Sequence, residues 1–139
     1  MAEFKLVLST KDGKSVQKDV KSPEADGLLK KKIGETLQGD TLGLAGYELQ
    51  VTGGSDKSGF PMRKGIQKRR LKVLVQGGTG FSGKKRDKTN QNGLKRKKTV
   101  CGEVVDDNIV QVNLKVLKEG SAPLAAPAEA APAAEAANE

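Results

Sequence analysis

Residues 4–9 read FKLVLS, with Phe4, Leu6 and Leu8 on one side of an extended chain and Lys5, Val7 and Ser9 on the other. That two-residue period predicts a half-buried strand. KDGK at residues 11–14 predicts a hairpin turn, because Asp-Gly tolerates the positive φ of a tight reversal. SVQKDV then returns as a short polar strand. Ser22 and Pro23 open a short helix as cap and first helical residue, with Leu28, Leu29 and Ile33 inward. Gly27 and Gly34 limit it to about two turns. Lys30–Lys32 close it, where positive charge suits the C-terminal dipole.

Beyond a turn-rich GDTLGLAG (residues 39–46), YELQVT places Tyr47, Leu49 and Val51 on one strand face. RLKVLVQ from Arg70 is a fourth strand, and KTVCGEVV at 98–105 contributes a short fifth. NIVQVNLKVL from Asn108 alternates most cleanly: Val110, Val112, Leu114 and Val116 inward, Gln111, Asn113 and Lys115 outward. Several short strands separated by glycine-rich turns predict a mainly β fold, a small antiparallel β-barrel with Gly-rich basic loops and one short helix. After residue 118 the chain becomes EGSAPLAAPAEAAPAAEAANE, where prolines interrupt what Ala and Glu would make helical. The expected organisation is a β-barrel domain over 1–118 and a disordered low-complexity tail over 119–139.

Composition narrows the chemistry. The chain has 139 residues, 3% of them aromatic, with one cysteine and no histidine. Disulfide frameworks, zinc clusters and His-based catalysis are thereby excluded. No apolar run approaches the roughly 18 residues that span a bilayer, and MAEFKLVLSTKDGK carries no signal-peptide pattern. The expectation is a cytoplasmic protein with no cofactor, no metal and no membrane association.

Charge is unevenly placed. Residues 1–52 carry 8 basic and 8 acidic side chains, residues 53–100 carry 15 and 2, and residues 101–139 carry 2 and 7. A positive field concentrated in the middle third is the footprint of a polyanion-binding surface.

Two candidate motifs fail on context. VQGGTGFSGKK satisfies both G-x-G-x-x-G (Gly78, Gly80, Gly83) and G-x4-G-K (Gly78 to Lys84). Each needs a helix next to present its amides to phosphate, and KRDKTNQNGLKRKK has no amphipathic face. Lys85 also stands where a magnesium-binding Ser or Thr belongs. Asp106 and Asp107 are adjacent, so on a strand they would face opposite ways; VDDN reads as a turn.

What remains is a discontinuous basic cluster: MRKGIQKRR (62–70), GKKRDK (83–88) and LKRKKT (94–99). Its candidate RNA-binding residues are Lys57, Arg63, Lys64, Lys68, Arg69, Arg70, Lys84, Lys85, Arg86, Lys95, Arg96, Lys97 and Lys98. Arginine forks grip phosphate bidentately and lysines add mobile point charges. With only Phe60 and Phe81 in these loops, base stacking is scarce, which favours shape and phosphate readout of folded RNA. Each Phe more readily anchors its loop to the barrel.

VTGGSDKSGFPMR at 51–63 resembles the hallmark of small-subunit ribosomal protein six of the archaeal and eukaryotic type. KKIGE at 31, GLAGYELQ at 43, GTGF at 78 and RKKTVCGEVVDDNIVQVNLKV at 96 extend the resemblance over residues 4–117. It implies a β-barrel-like domain on small-subunit ribosomal RNA near the foot of the particle, beside neighbouring ribosomal proteins. The glycine-rich loop after Val51 would be threaded against RNA and ordered only there. By motif position, the implied RNA-facing residues are Lys57, Arg63, Lys64, Arg69, Arg70, Arg96, Lys97 and Lys98. Cys101 stands where the family usually has arginine, and Ser82 and Gly83 where it often has Arg-Pro. The long basic helix with phosphorylated serines of eukaryotic members has no counterpart here; the length is archaeal in style.

The expected function is a non-enzymatic structural constituent of the small ribosomal subunit, without a small-molecule substrate. The alternatives are a free-standing RNA-binding regulator or chaperone on a similar barrel, and a nucleotide-dependent enzyme using Gly78 to Lys84.

Overall fold

The alternation at residues 4–8 becomes strand β1 (Glu3–Ser9) in a computed structural model of the chain, which describes residues 3–84, 89, 93–120 and 124. Strand β2 (Ser15–Lys21) returns antiparallel to it through a turn in which the Thr10 amide donates to the Lys14 carbonyl at 2.9 Å. Five further strands follow: β3 (Thr36–Gln38), β4 (Glu48–Asp56), β5 (Arg70–Val75), β6 (Arg96–Cys101) and β7 (Ile109–Lys118). They form a five-stranded sheet in the order β2-β1-β7-β4-β3, curled into a half-barrel, and a two-stranded β5-β6 ribbon.

The mainly β, barrel-like expectation therefore holds, with one pairing of different sense. β1 and β7 run parallel, Leu6 opposite Val112 and Leu8 opposite Leu114. Their inward residues, with Phe4, Leu49, Val51 and Val116, are buried to within 1% of full burial. Each such aliphatic or aromatic side chain contributes about 1.5–3 kcal/mol on leaving water. Leu28, Leu42, Tyr47 and Val105, from the connections, complete the core.

The short helix is a 3-10 turn, Glu24–Leu28, and a second 3-10 turn spans Gly39–Leu42. Ser22 does not cap the first backbone; its hydroxyl donates to the Asp26 carboxylate at 3.2 Å. Lys30–Lys32 do not close a helix either. Lys30 turns the chain with a left-handed φ of 66°, its amide donating to the Val105 carbonyl at 3.0 Å; the Lys31 carbonyl accepts from the Val105 amide at 2.9 Å and Lys32 is bridged to Val104.

β7 departs from strict alternation. Ser55 faces Gln111 and Asp56 faces Ile109, so Val110 is an extra residue on β7. This bulge shifts the face by one position: Ile109 is buried at 4% exposure, while Val110 is only half-buried. A second irregularity leaves Thr52 unpaired on β4, where its hydroxyl donates to the Asn113 carbonyl at 3.0 Å.

Past residue 118 the chain still meets the core. A Cβ on Gly120 would come within 2.7 Å of the Tyr47 ring, and Leu124 packs against the core as a half-buried residue. The disorder expected for the remainder of residues 119–139 falls on positions outside the described residues.

Candidate nucleic-acid interface

The glycine-rich stretch after Val51 is not a free loop. Gly53, Gly54, Ser55 and Asp56 continue β4 and pair with β7. Glycine is required at 54 because the backbones approach so closely that a Cβ would overlap the Gln111 carbonyl oxygen. The chain then reverses: the Gly59 amide donates to the Asp56 carbonyl at 2.8 Å and the Asp56 amide to the Phe60 carbonyl at 3.0 Å. Met62 crosses back, its amide donating to the Gly54 carbonyl at 2.9 Å. The Cys101 amide donates to the Pro61 carbonyl at 2.8 Å and the Arg63 amide to the Cys101 carbonyl at 3.1 Å, which stitches this turn to the end of β6. The segment is ordered by hydrogen bonds within the chain itself, against the expectation that RNA alone would order it.

At the centre lies Asp56, the buried charged side chain among the described residues. Its carboxylate accepts from the Ser58 amide, from Arg70 Nε at 2.6 Å and Arg70 Nη2, and from the Cys101 thiol at 3.1 Å. Arg70 Nη2 also donates to Ser58 Oγ at 2.9 Å, and the guanidinium lies 5.2 Å from the Phe60 ring centroid. Burial works to raise the Asp56 carboxyl. The Ser58 amide, Cys101 thiol and Arg70 guanidinium outweigh it, holding the group below the ordinary carboxylate value. Burial, then the adjoining carboxylate, pushes the Cys101 thiol up to about 11. Asp56 was invisible to pattern reading; its signal was being one of two acids in the basic third.

Around this node the predicted cations are distributed over three surfaces. Lys57 is exposed beside an open cleft of about 410 Å³ that also holds Lys5, Lys21, Glu3, Asp19 and Asp107. Its mixed charge makes a poor phosphate site. Lys64, Lys68 and Arg69 are exposed on the connection into β5, and half-buried Arg63 donates from Nη1 to the Thr79 carbonyl at 3.2 Å. Lys84 and Lys95 are exposed; Lys85 and Arg86 lie outside the described residues.

Arg96, Lys97 and Lys98 lie on strand β6 rather than in a loop, so their side chains alternate. Pairing Val73 with Lys98, Leu74 with Lys97 and Val75 with Arg96 sets Arg96 and Lys98 on one face of the ribbon. Lys97 shares the other face with Lys72 and with Leu74, which is 56% exposed. Lys72 stands inside the strand RLKVLVQ, outside the three basic runs that mark the cluster in the sequence. Of the two Phe residues in these segments, Phe60 packs against the core, whereas half-buried Phe81 lies 5.8 Å from Lys98 Nζ on the ribbon.

The glycine motif is a turn. Gly78 and Phe81 form an isolated bridge, Gly78 and Gly80 take φ of 96° and 92°, and residues 76–84 contain no helix. The helix that a nucleotide loop would need next falls on positions 85–92, of which only 89 is among the described residues.

Comparison with known proteins supplies an independent view of the same chain. The profile of the family described as ribosomal protein S6e matches residues 4–129. The chain is 44% identical over 122 residues to small ribosomal subunit protein eS6 of Methanothermobacter thermautotrophicus, covering 87% of this chain and 91% of the relative. It is also 44% identical over 123 residues to that of Methanosphaera stadtmanae (88% and 89% coverage). Identity to that of Archaeoglobus fulgidus is 41% over 127 residues, with 88% and 92% covered.

Proposed function

The chain belongs to the ribosomal protein S6e family, and from that premise we propose that it is a structural, non-enzymatic component of the cytoplasmic small ribosomal subunit, gripping folded ribosomal RNA through phosphate contacts. The observation that carries the contact surface is the β5-β6 ribbon with its entry segment. Lys64, Lys68, Arg69, Lys72, Arg96, Lys97 and Lys98 project there, exposed, and form no ion pair among the described residues. Lys84 and Lys95 extend the charge at the ribbon's far end, Arg63 adjoins its base, and Lys57, Lys85 and Arg86 add charge in the flanking sequence. With only Phe60 and Phe81 in these segments, and Phe60 packed against the core, the surface reads phosphate spacing and RNA shape rather than bases. A ribbon carrying cations on both faces suits a site where RNA strands pass on either side. Neighbouring ribosomal proteins complete the surroundings.

Replacing Arg96, Lys97 and Lys98 with Gln tests this reading. Binding to a small-subunit RNA fragment should weaken, and the log–log salt slope should fall by about 2 to 3 units, roughly one per counterion released. A control triple at Lys11, Lys14 and Lys115, all exposed on the charge-balanced part of the molecule, should do far less. Equal losses from both triples would mean general attraction to a basic protein. Sedimentation of the protein free of ribosomal particles at low salt would favour a free-standing RNA-binding regulator instead.

A further inference from the structure

An acid buried inside a polyanion-binding surface needs a reason, since each negative charge there opposes the partner. Asp56 is buried among the basic segments, and its contacts reach three of them: the 57–60 turn through the Ser58 amide, the start of β5 through Arg70, and the end of β6 through the Cys101 thiol. Arg70 answers with a fork that spans Asp56 and Ser58 Oγ and covers Phe60. The family resemblance had placed Arg70 among the RNA-facing residues. Its Nε and Nη2 are instead both occupied within the chain, and its charge is neutralised at contact distance.

We propose that Asp56 and Arg70 are positioning residues for RNA binding: a clamp that fixes the 57–63 turn and the root of the β5-β6 ribbon before RNA arrives, with Arg70 acting as the clamp's counter-charge rather than as a phosphate ligand. This rests on the RNA-binding reading above. Ordering the segment in the free protein lowers the entropic cost that a loose loop would incur on association. The clamp keeps Arg63 and Lys64 at fixed offsets from the ribbon, so phosphates spaced along a folded RNA meet cations already in register.

The competing views predict opposite signs. If Asp56 were an electrostatic bystander, Asp56→Asn would remove a repelling charge and tighten RNA binding. As a clamp, Asp56→Asn should weaken binding to a small-subunit RNA fragment about tenfold, the scale of ordering a short loop and a few side chains. The salt slope should stay within about half a unit, because no phosphate contact is lost. Arg70→Gln should behave the same way, whereas Arg69→Gln should lower the slope by about one unit.

Arg70→Lys keeps the charge and removes the fork. It should match Arg70→Gln if Arg70 is a clamp and remain near wild type if it is a phosphate contact. This variant also carries the test if Asp56→Asn does not fold, since the Arg70 side chain is 35% exposed. Hydrogen exchange on the free full-length chain adds a reading independent of RNA: the Ser58 and Gly59 amides should be protected in wild type and exchange at least tenfold faster in Arg70→Lys. Unchanged exchange, tighter binding by Asp56→Asn, or a slope lowered by one unit in Arg70→Gln would overturn the clamp. A wild-type chain that fails to bind the RNA fragment saturably would overturn the RNA-binding reading instead, while the exchange experiment still decides whether the clamp exists.

Discussion

Cys101 shows how position rather than residue type sets chemistry. A lone thiol in a basic neighbourhood suggests an activated nucleophile, because cations stabilise thiolate. Here the side chain is buried and donates to a carboxylate, and its ionisation is pushed up to about 11. The folded protein should resist maleimide at pH 8 and react only as fast as it unfolds; rapid stoichiometric labelling of native protein would contradict the burial. The two ends of this hydrogen bond also give the stability profile two limbs. The Cys101 value is raised on folding, so its stabilising share is complete below about pH 9 and is lost as pH climbs toward 11. The Asp56 value is lowered on folding, so its share is complete above the ordinary carboxylate value of 3.8 and is lost as pH falls beneath it. Thermal midpoints of Cys101→Ala should flatten the alkaline limb, and those of Asp56→Asn the acid one. Neither role could be read from the sequence. Alternation marks which residues turn inward, but not which polar groups meet there.

At the level of single elements, the chain's pattern carried the strands well where side chains report a face. β1, β4 up to Val51 and most of β7 stand where alternation put them, because Phe, Leu and Val at every second position leave little choice of register. Three things escaped. β3 has only three residues, too few for a period. Gly53 and Gly54 have no side chains to alternate, so a strand looked like a loop. The bulge at Val110 changed the face without changing the pattern. That last point gives a sharp test. Ile109→Ala should cost about 2–5 kcal/mol in chemical denaturation, and Val110→Ala less than about 1 kcal/mol; the reverse order would restore unbroken alternation. Gly54→Ala should be strongly destabilising, since its methyl group would overlap the Gln111 carbonyl oxygen rather than a movable side chain.

For the molecule as a whole, the sequence announced a basic middle third but not its assembly. Segments distant in the chain, around Pro61, Arg69 and Cys101, converge because the end of β6 is stitched to Pro61, Arg63 and Arg69. Long-range pairing of that kind leaves no local trace. Beyond residue 118, Gly120 and Leu124 lie against the core. Ending the chain after Leu117 should therefore lower the thermal midpoint by about 4 °C or more, whereas ending it after Leu124 should leave it nearly unchanged; equal midpoints for the two truncations would show that these contacts contribute nothing. One pairing reaches further than stability. Among the described residues, β7 is the last of seven strands and the only bridge between β1 and β4 within the sheet. During synthesis the first hairpin and β4 therefore leave the ribosome with open edges, and remain so until residues 109–118 emerge. Those edges are templates for pairing with other chains. The hazardous interval for this chain is the time between making its first strand and its last, when those open edges make it advantageous to keep nascent chains apart.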